Sequence, residues 1–195
     1  MSLMAGKSDE QLIVAALAGD QGALAELVMR HHSLLLGYLY RMLGGDRERA
    51  EELVQETLLR ALRPGAYCAP RPFKPWLYAI ATNLARDERK SAAARQRERE
   101  RGYDADMALL HLTDSAPGPE ERALAAERGG EIQAAIAQLG EEYRVVVILR
   151  FYQEFSLQEI AETLRIPLGT VKSRLSVGVH RLRALLTAVR EGVDS

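Results

Sequence analysis

Apolar positions recur at helical spacing along almost the whole chain. No stretch alternates apolar and polar residues for long enough to argue for a sheet. Ser8-Asp9-Glu10-Gln11 has the pattern of a capping box, opening a short helix through Leu12, Ala15 and Ala16. Asp20 can cap a second, long helix whose apolar positions are Leu24, Leu27, Val28, Leu34, Leu35, Tyr38, Leu39 and Met42; Gly44-Gly45 ends it. Asp46 caps a third, with Glu48, Glu51 and Glu52 near its positive end and an apolar stripe of Ala50, Leu53, Val54, Leu58, Ala61 and Leu62. Pro64-Gly65 stops it, and a proline-rich loop leads to Pro75, suited to a first helical position. The fourth helix carries Trp76, Leu77, Ile80, Ala81 and Leu84.

From about Ser91 to Glu131 the pattern changes. This stretch is rich in charge and contains Ser115-Ala116-Pro117-Gly118-Pro119, which reads as a linker, partly disordered. Helical spacing returns with Ile132, Ala135, Ile136 and Leu139, closed by Gly140, and continues through Tyr143, Val146, Val147 and Leu149. Ser156-Leu157-Gln158-Glu159 is a second capping box, starting a short helix through Ile160, Ala161 and Leu164. A turn at Arg165-Ile166-Pro167-Leu168 leads to a last helix, from about Gly169 to Val189. The expected fold is therefore all-α: two small helical domains joined by a flexible linker, with boundaries at 8–91, 92–130 and 131–190.

Net charge is −1, but its distribution is uneven. Arg86 to Arg101 holds seven Arg/Lys against four Asp/Glu, and Arg165 to Arg190 holds six Arg/Lys and no acid. Between them, Gly102 to Glu131 holds two basic residues against seven acidic ones. Two basic zones flanking an acidic one suggest two polyanion contacts, although each zone alone also fits a solvated helix face.

Ser156 to Arg174 has helix-turn-helix spacing. Ile160, Leu164, Ile166, Val171 and Leu175 can form its small core, with Ala161 where the helices cross. The second helix then presents Thr170, Lys172, Ser173 and Arg174 near its N-terminus, the end that meets base edges in a major groove. Arg181 and Arg183 lie further along, better placed for phosphate. An ordinary helical hairpin with a charged face is the alternative.

Leu139 to Arg144, followed by Thr170-Val171-Lys172-Ser173-Arg174-Leu175, resembles the C-terminal domain of extracytoplasmic-function (ECF) RNA polymerase sigma factors. That pattern alone also fits response-regulator DNA-binding domains. The N-terminal half separates the two. Asp46 to Ala61 is similar to the family's polymerase-clamp-binding helix, and Phe73 to Asp87 to its downstream (−10) element reader. The resemblance runs from about Ser8 to Leu186 and is loose only in the linker.

The resemblance implies a sigma factor that directs polymerase to promoters and assists DNA melting. Its implied partners are the polymerase core (β′ clamp and β flap), promoter DNA and an anti-sigma factor. Arg49, Glu52, Gln55, Glu56 and Arg60 would meet polymerase; pairing within the helix, such as Glu56 with Arg60, is the plainer alternative. Asn83, Arg86, Arg89 and Lys90, with Tyr67 and Phe73 of the loop, would take the −10 element. Tyr67 and Phe73 stay open between packing and base contact, while Trp76 and Ile80 read as core. Thr170, Lys172, Ser173, Arg174 and Arg181 would take the upstream (−35) element. Two rival readings remain: a regulator binding duplex DNA without polymerase, and a sigma-like decoy that binds only an anti-sigma protein.

Two departures bear on the last helices. Arg165 stands where the family often has Gly, a turn position where a left-handed backbone is easy; a non-glycine residue there either adds roughly 1 kcal/mol of strain or marks a slightly different turn. Gly178 is expected to weaken the final helix.

Other classes find little support. No nucleotide-binding loop or catalytic triad is present, so neither an enzyme nor a cofactor is expected. No apolar run approaches the roughly 18 residues of a membrane span. Ser8, Asp9 and Glu10 interrupt any apolar start, arguing against a secretory leader. The single cysteine, Cys68, excludes an internal disulfide and fits a reducing cytoplasm. His31-His32 invites a metal, but neighbours on a helix diverge and no Cys/His cluster supports it, so no metal is expected.

Overall fold

The computed structural model describes residues 6–102 and 121–193, and among them are eight helices and no strand. They are α1 (Asp9–Leu17), α2 (Gln21–Met42), α3 (Arg47–Ala61), α4 (Phe73–Gly102), α5 (Glu121–Gln138), α6 (Glu141–Phe151), α7 (Leu157–Leu164) and α8 (Leu168–Val193).

The capping residues read from the sequence act as caps. Ser8 Oγ accepts from the Gln11 N–H while Gln11 Oε1 accepts from the Ser8 N–H, fixing the start of α1. Asp20 Oδ1 accepts from the amides of Gly22 (2.9 Å) and Ala23 (3.0 Å) at the head of α2. Asp46 Oδ1 does the same for Arg49 in α3. Gly44 (φ 74°) and Gly45 (φ 102°) take the left-handed conformations that end α2.

α4 begins at Phe73, so Pro75 lies in its first turn, two residues later than expected, and the Trp76 N–H reaches back to Pro72 O. α4 also continues to Gly102 and α5 starts at Glu121, so helix extends into both ends of the proposed linker. The Ser115–Pro119 segment lies outside the described residues.

α1 to α4 pack as an N-terminal bundle around Leu12, Ile13, Leu35, Leu39, Leu53 and Leu77. Two residues of the predicted stripes are corrected here: Leu34 and Ile132 face solvent. α5 to α8 form the second unit, with α6 at its centre. Arg144 to Leu149 are six consecutive buried residues. A helix buried all round needs walls on every side, and α6 has them: α8 and α7 from its own unit, and α2 from the other. The apolar residues of the two units accordingly form one continuous cluster.

Candidate nucleic-acid interface

The helix-turn-helix is built as its sequence dictates. Ser156 Oγ accepts from the Glu159 amide (3.2 Å), and Glu159 Oε2 accepts from the Ser156 N–H (2.7 Å). α7 closes at Arg165, which is left-handed (φ 53°, ψ 47°), as its place in the turn required. Ile166 N–H donates to Ala161 O, and Thr170 N–H to Pro167 O, setting the angle at which α8 departs. Ile160, Ala161, Leu164 and Val171 are buried, with Ile166 and Leu175 partly covered, and α7 packs on both α8 and α4.

At the N-terminal end of α8, Lys172 and Ser173 are exposed, and Thr170 and Arg174 are half-buried. Ser173 Oγ donates to Thr170 O (3.0 Å). Arg181 lies over the Tyr143 ring, 4.5 Å from its centroid. Gly178 is buried at the crossing of α8 with α6. A Cβ there would lie 2.9 Å from Val147 Cγ2, so the glycine expected only to weaken the helix permits a close approach.

The second basic zone lies on α4. Asn83 and Lys90 are exposed. Arg86 and Arg89 are half-buried, because both turn toward Glu141 at the start of α6. Arg86 Nε donates to Glu141 Oε1 at 2.9 Å, and Arg89 Nη1 lies 3.9 Å from Glu141 Oε2.

The loop aromatics take the packing alternative in this arrangement. Tyr67 and Phe73 are 6 % and 2 % exposed. Phe73 stands edge-on to His31 (5.2 Å between centroids), and Tyr67 packs on Trp76 (5.0 Å). The Tyr67 hydroxyl donates to Arg71 O. The Phe73 N–H donates to Glu10 Oε1 (3.0 Å), and that bond holds the Glu10 carboxyl below its ordinary range. His31 itself is buried, with Nε2 2.8 Å from Asp9 Oδ2, whereas His32 is exposed.

On α3, Glu52, Gln55 and Leu59 are exposed and Glu56 half-buried, and their spacing puts all four on one helix face. Arg60 Nε donates to Glu56 Oε1 (2.6 Å), the intrahelical pair weighed from the sequence. Arg49 binds both Glu52 and Glu88 of α4, so it also ties two helices together. Leu59, 61 % exposed in the middle of this polar face, was missed in the sequence. Its spacing with Glu52, Gln55 and Glu56 could have found it.

The sequence reading gave no role to three further residues: Glu141 and Arg144, which lie within the C-terminal motif, and Gln153. Each acts on a partner distant in the chain. Gln153 is buried where the units meet. It accepts from the Tyr78 hydroxyl at Oε1 (2.5 Å) and from Lys74 Nζ at its carbonyl (2.8 Å), and donates from Nε2 to Leu34 O (3.4 Å). The Arg144 guanidinium donates to the carbonyls of Ile136, Ala137 and Leu139 at the end of α5, and to Met42 O at the end of α2.

Comparison with known proteins places this geometry. The sequence profile of sigma-70 region 2 matches residues 27–95, and that of sigma-70 region 4 matches residues 129–182. The chain is 36% identical over 176 residues to the ECF RNA polymerase sigma factor SigW of Bacillus subtilis (strain 168), covering 86% of this chain and 91% of SigW. The chain belongs to the ECF sigma factors. A second relative in the family, SigL of Mycobacterium tuberculosis (strain H37Rv), is 35% identical over 179 residues, covering 89% of this sigma factor and 94% of SigL.

Solved structures share the fold. CnrH, in complex with the cytosolic domain of CnrY, superposes with a TM-score of 0.68 at 24% identity, covering 93% of this sigma factor and 99% of CnrH. RpoE of Bartonella quintana, in complex with the anti-sigma factor NepR, gives 0.59 at 21% identity, covering 83% and 97%. Among the described residues of this sigma factor, no helix is long and apolar enough to cross a membrane.

Proposed function

We propose that this sigma factor docks on the polymerase core through α3 and reads promoters with α4 and α8. The observation that carries the reading is that two basic helical segments, on α4 and α8, fall within the two sigma-70 regions that match one chain. Thr170, Lys172, Ser173 and Arg174 take the −35 element in the major groove, and Arg181 takes phosphate. Asn83 supplies base-edge hydrogen bonds at the −10 element, while Arg86, Arg89 and Lys90 neutralise backbone phosphate. Tyr67 and Phe73, interior here, support this reading by fixing the loop before α4 rather than by stacking on bases.

The face of Glu52, Gln55, Glu56 and Leu59, with Arg49 and Arg60, meets the β′ clamp, and the C-terminal unit meets the β flap. The chain itself makes no bond. Polymerase performs nucleotidyl transfer, and the sigma factor acts by stabilising opened promoter DNA relative to duplex. Because both units are tethered to one machine, neither needs tight DNA affinity alone. An anti-sigma factor that binds the chain, as NepR is in complex with RpoE, completes the proposal, and the setting is the cytoplasm.

Reconstitution with bacterial core polymerase and a genomic promoter pool tests it. The expected result is core-dependent, promoter-specific initiation, weakened at the upstream element by Arg174→Ala and at the opening step by Asn83→Ala. Failure of the purified chain to associate with core polymerase, where a known initiation factor does, overturns it.

A further inference from the structure

We infer that Val177 of α8 reads the C5-methyl group of a thymine in the upstream promoter element. The inference deepens the assignment of α8 to that element and rests on it. Thr170, Ser173, Arg174 and Val177 stand at positions i, i+3, i+4 and i+7, so they share one face over two turns of α8. A homeodomain reads the major groove with four side chains of one helix at the same spacing. Arg181 continues the face by a further turn. Another face of α8 is given to the core: Val171 and Gly178 are buried, and Leu175 and Leu182 pack beside them. Val177 is 38 % exposed and lies outside the apolar cluster.

Helix stability does not account for a valine here. A β-branched side chain loses freedom against the preceding turn, so on an exposed helical surface it forms helix less readily than alanine. Without a place in the core, Val177 gains little to offset that. What it adds to the face is apolar surface, between the hydroxyl and guanidinium of Ser173 and Arg174 and the guanidinium of Arg181.

In the major groove every base pair shows hydrogen-bonding groups, but among the four bases thymine alone shows a methyl group, and apolar side chains contact it. Arginine finds its best base partner in guanine, and serine serves donors and acceptors alike, so neither neighbour is built to sense that methyl. Thr170 carries a methyl of its own, but about 10 Å back along the helix, where it would meet a different base. Val177 therefore supplies thymine selectivity that the polar side chains of the face lack.

Initiation and binding by the full chain with core polymerase, on a promoter taken from the selected pool, test this. Each thymine of the upstream element is replaced singly by deoxyuridine, which keeps the hydrogen-bonding edge and lacks only the methyl. At one of them the wild-type holoenzyme should bind about three- to fivefold more weakly after replacement, the worth of one buried methyl group. With Val177→Ser, thymine and uracil should be bound equally at that position. Val177→Thr, which keeps one methyl, should retain part of the difference. Arg174→Ala should bind more weakly overall and still distinguish the two bases. Since Val177 lies off the core, Val177→Ser should unfold at the wild-type temperature.

A wild-type holoenzyme indifferent to uracil at every upstream thymine overturns the inference. So does a selected upstream element without thymine, or a Val177→Ser chain that keeps the full wild-type discrimination. If core-dependent initiation is missing, or Arg174→Ala leaves use of the upstream element unchanged, the assignment of α8 to that element fails first and takes the inference with it.

Discussion

Arg144 Nη1 lies 3.1 Å from the carbonyl oxygen of Met42, a residue 102 positions earlier in the chain. The same guanidinium collects three carbonyls at the end of α5, so one buried cation caps a helix in each unit. Burial pulls its pKa down to about 10, which leaves it charged at neutral pH. Replacing it with Met keeps much of the volume but strands those carbonyls away from water. Arg144→Met should lower the unfolding free energy by about 2–4 kcal/mol, read from urea denaturation, and Arg144→Lys should recover only part of it.

Acid should loosen the N-terminal bundle through two carboxylates. The Phe73 amide holds Glu10 below its ordinary value, and the Arg49 guanidinium does the same for Glu88. A carboxyl with a lowered folded pKa stabilises the fold fully above its unfolded value, and that stability is lost as pH falls through the folded value. Melting temperature should therefore be flat near neutrality and drop below the ordinary carboxyl value of 4.5. In Glu88→Gln the drop should be shallower, from a lower plateau.

Gly178→Ala would add about 1 kcal/mol of helix propensity to an isolated α8. In the folded protein the new Cβ would meet Val147 Cγ2 at 2.9 Å and the Tyr143 backbone oxygen at 3.5 Å. Overpacking should win, with a net loss of about 1 kcal/mol or more. Adding Val147→Ala, which clears the nearer atom, should restore part of the loss in thermal unfolding.

Leu59 is exposed on α3 beside Gln55 and Glu56. If that face docks on polymerase, Leu59→Glu should weaken core binding by about tenfold or more, the scale of one interface anchor. Its solvent exposure predicts little change in melting temperature. Fluorescence anisotropy against core enzyme, paired with calorimetry, reads the two effects separately.

Helix starts were legible because a cap is a local event: Ser8, Asp20, Asp46 and Ser156 bond amides two or three residues away. The turn at Arg165 was legible for the same reason. Leu34 and Ile132 were misplaced because periodicity marks a face, but the width of the covered strip depends on what lies against it. The recognition-helix residues could be named from spacing, since Lys172 and Ser173 point away from a core that Ile160, Leu164 and Val171 define locally. Arg86 could be named as a cation, but not that Glu141, 55 positions later, holds it. Gln153 carried no signal at all, since a lone Gln after an apolar run is unremarkable until Tyr78 is beside it.

The all-round burial of α6 has a consequence for how the protein can be divided. Val147 and Tyr143 meet Gly178 of α8, whereas Arg144 and Tyr152 reach Met42 and Arg41 of α2. A fragment holding only the C-terminal unit would keep the first wall and lose the second. It would carry a bare, greasy flank with a stranded cation on it, and would be expected to clump on expression unless that flank found a substitute cover.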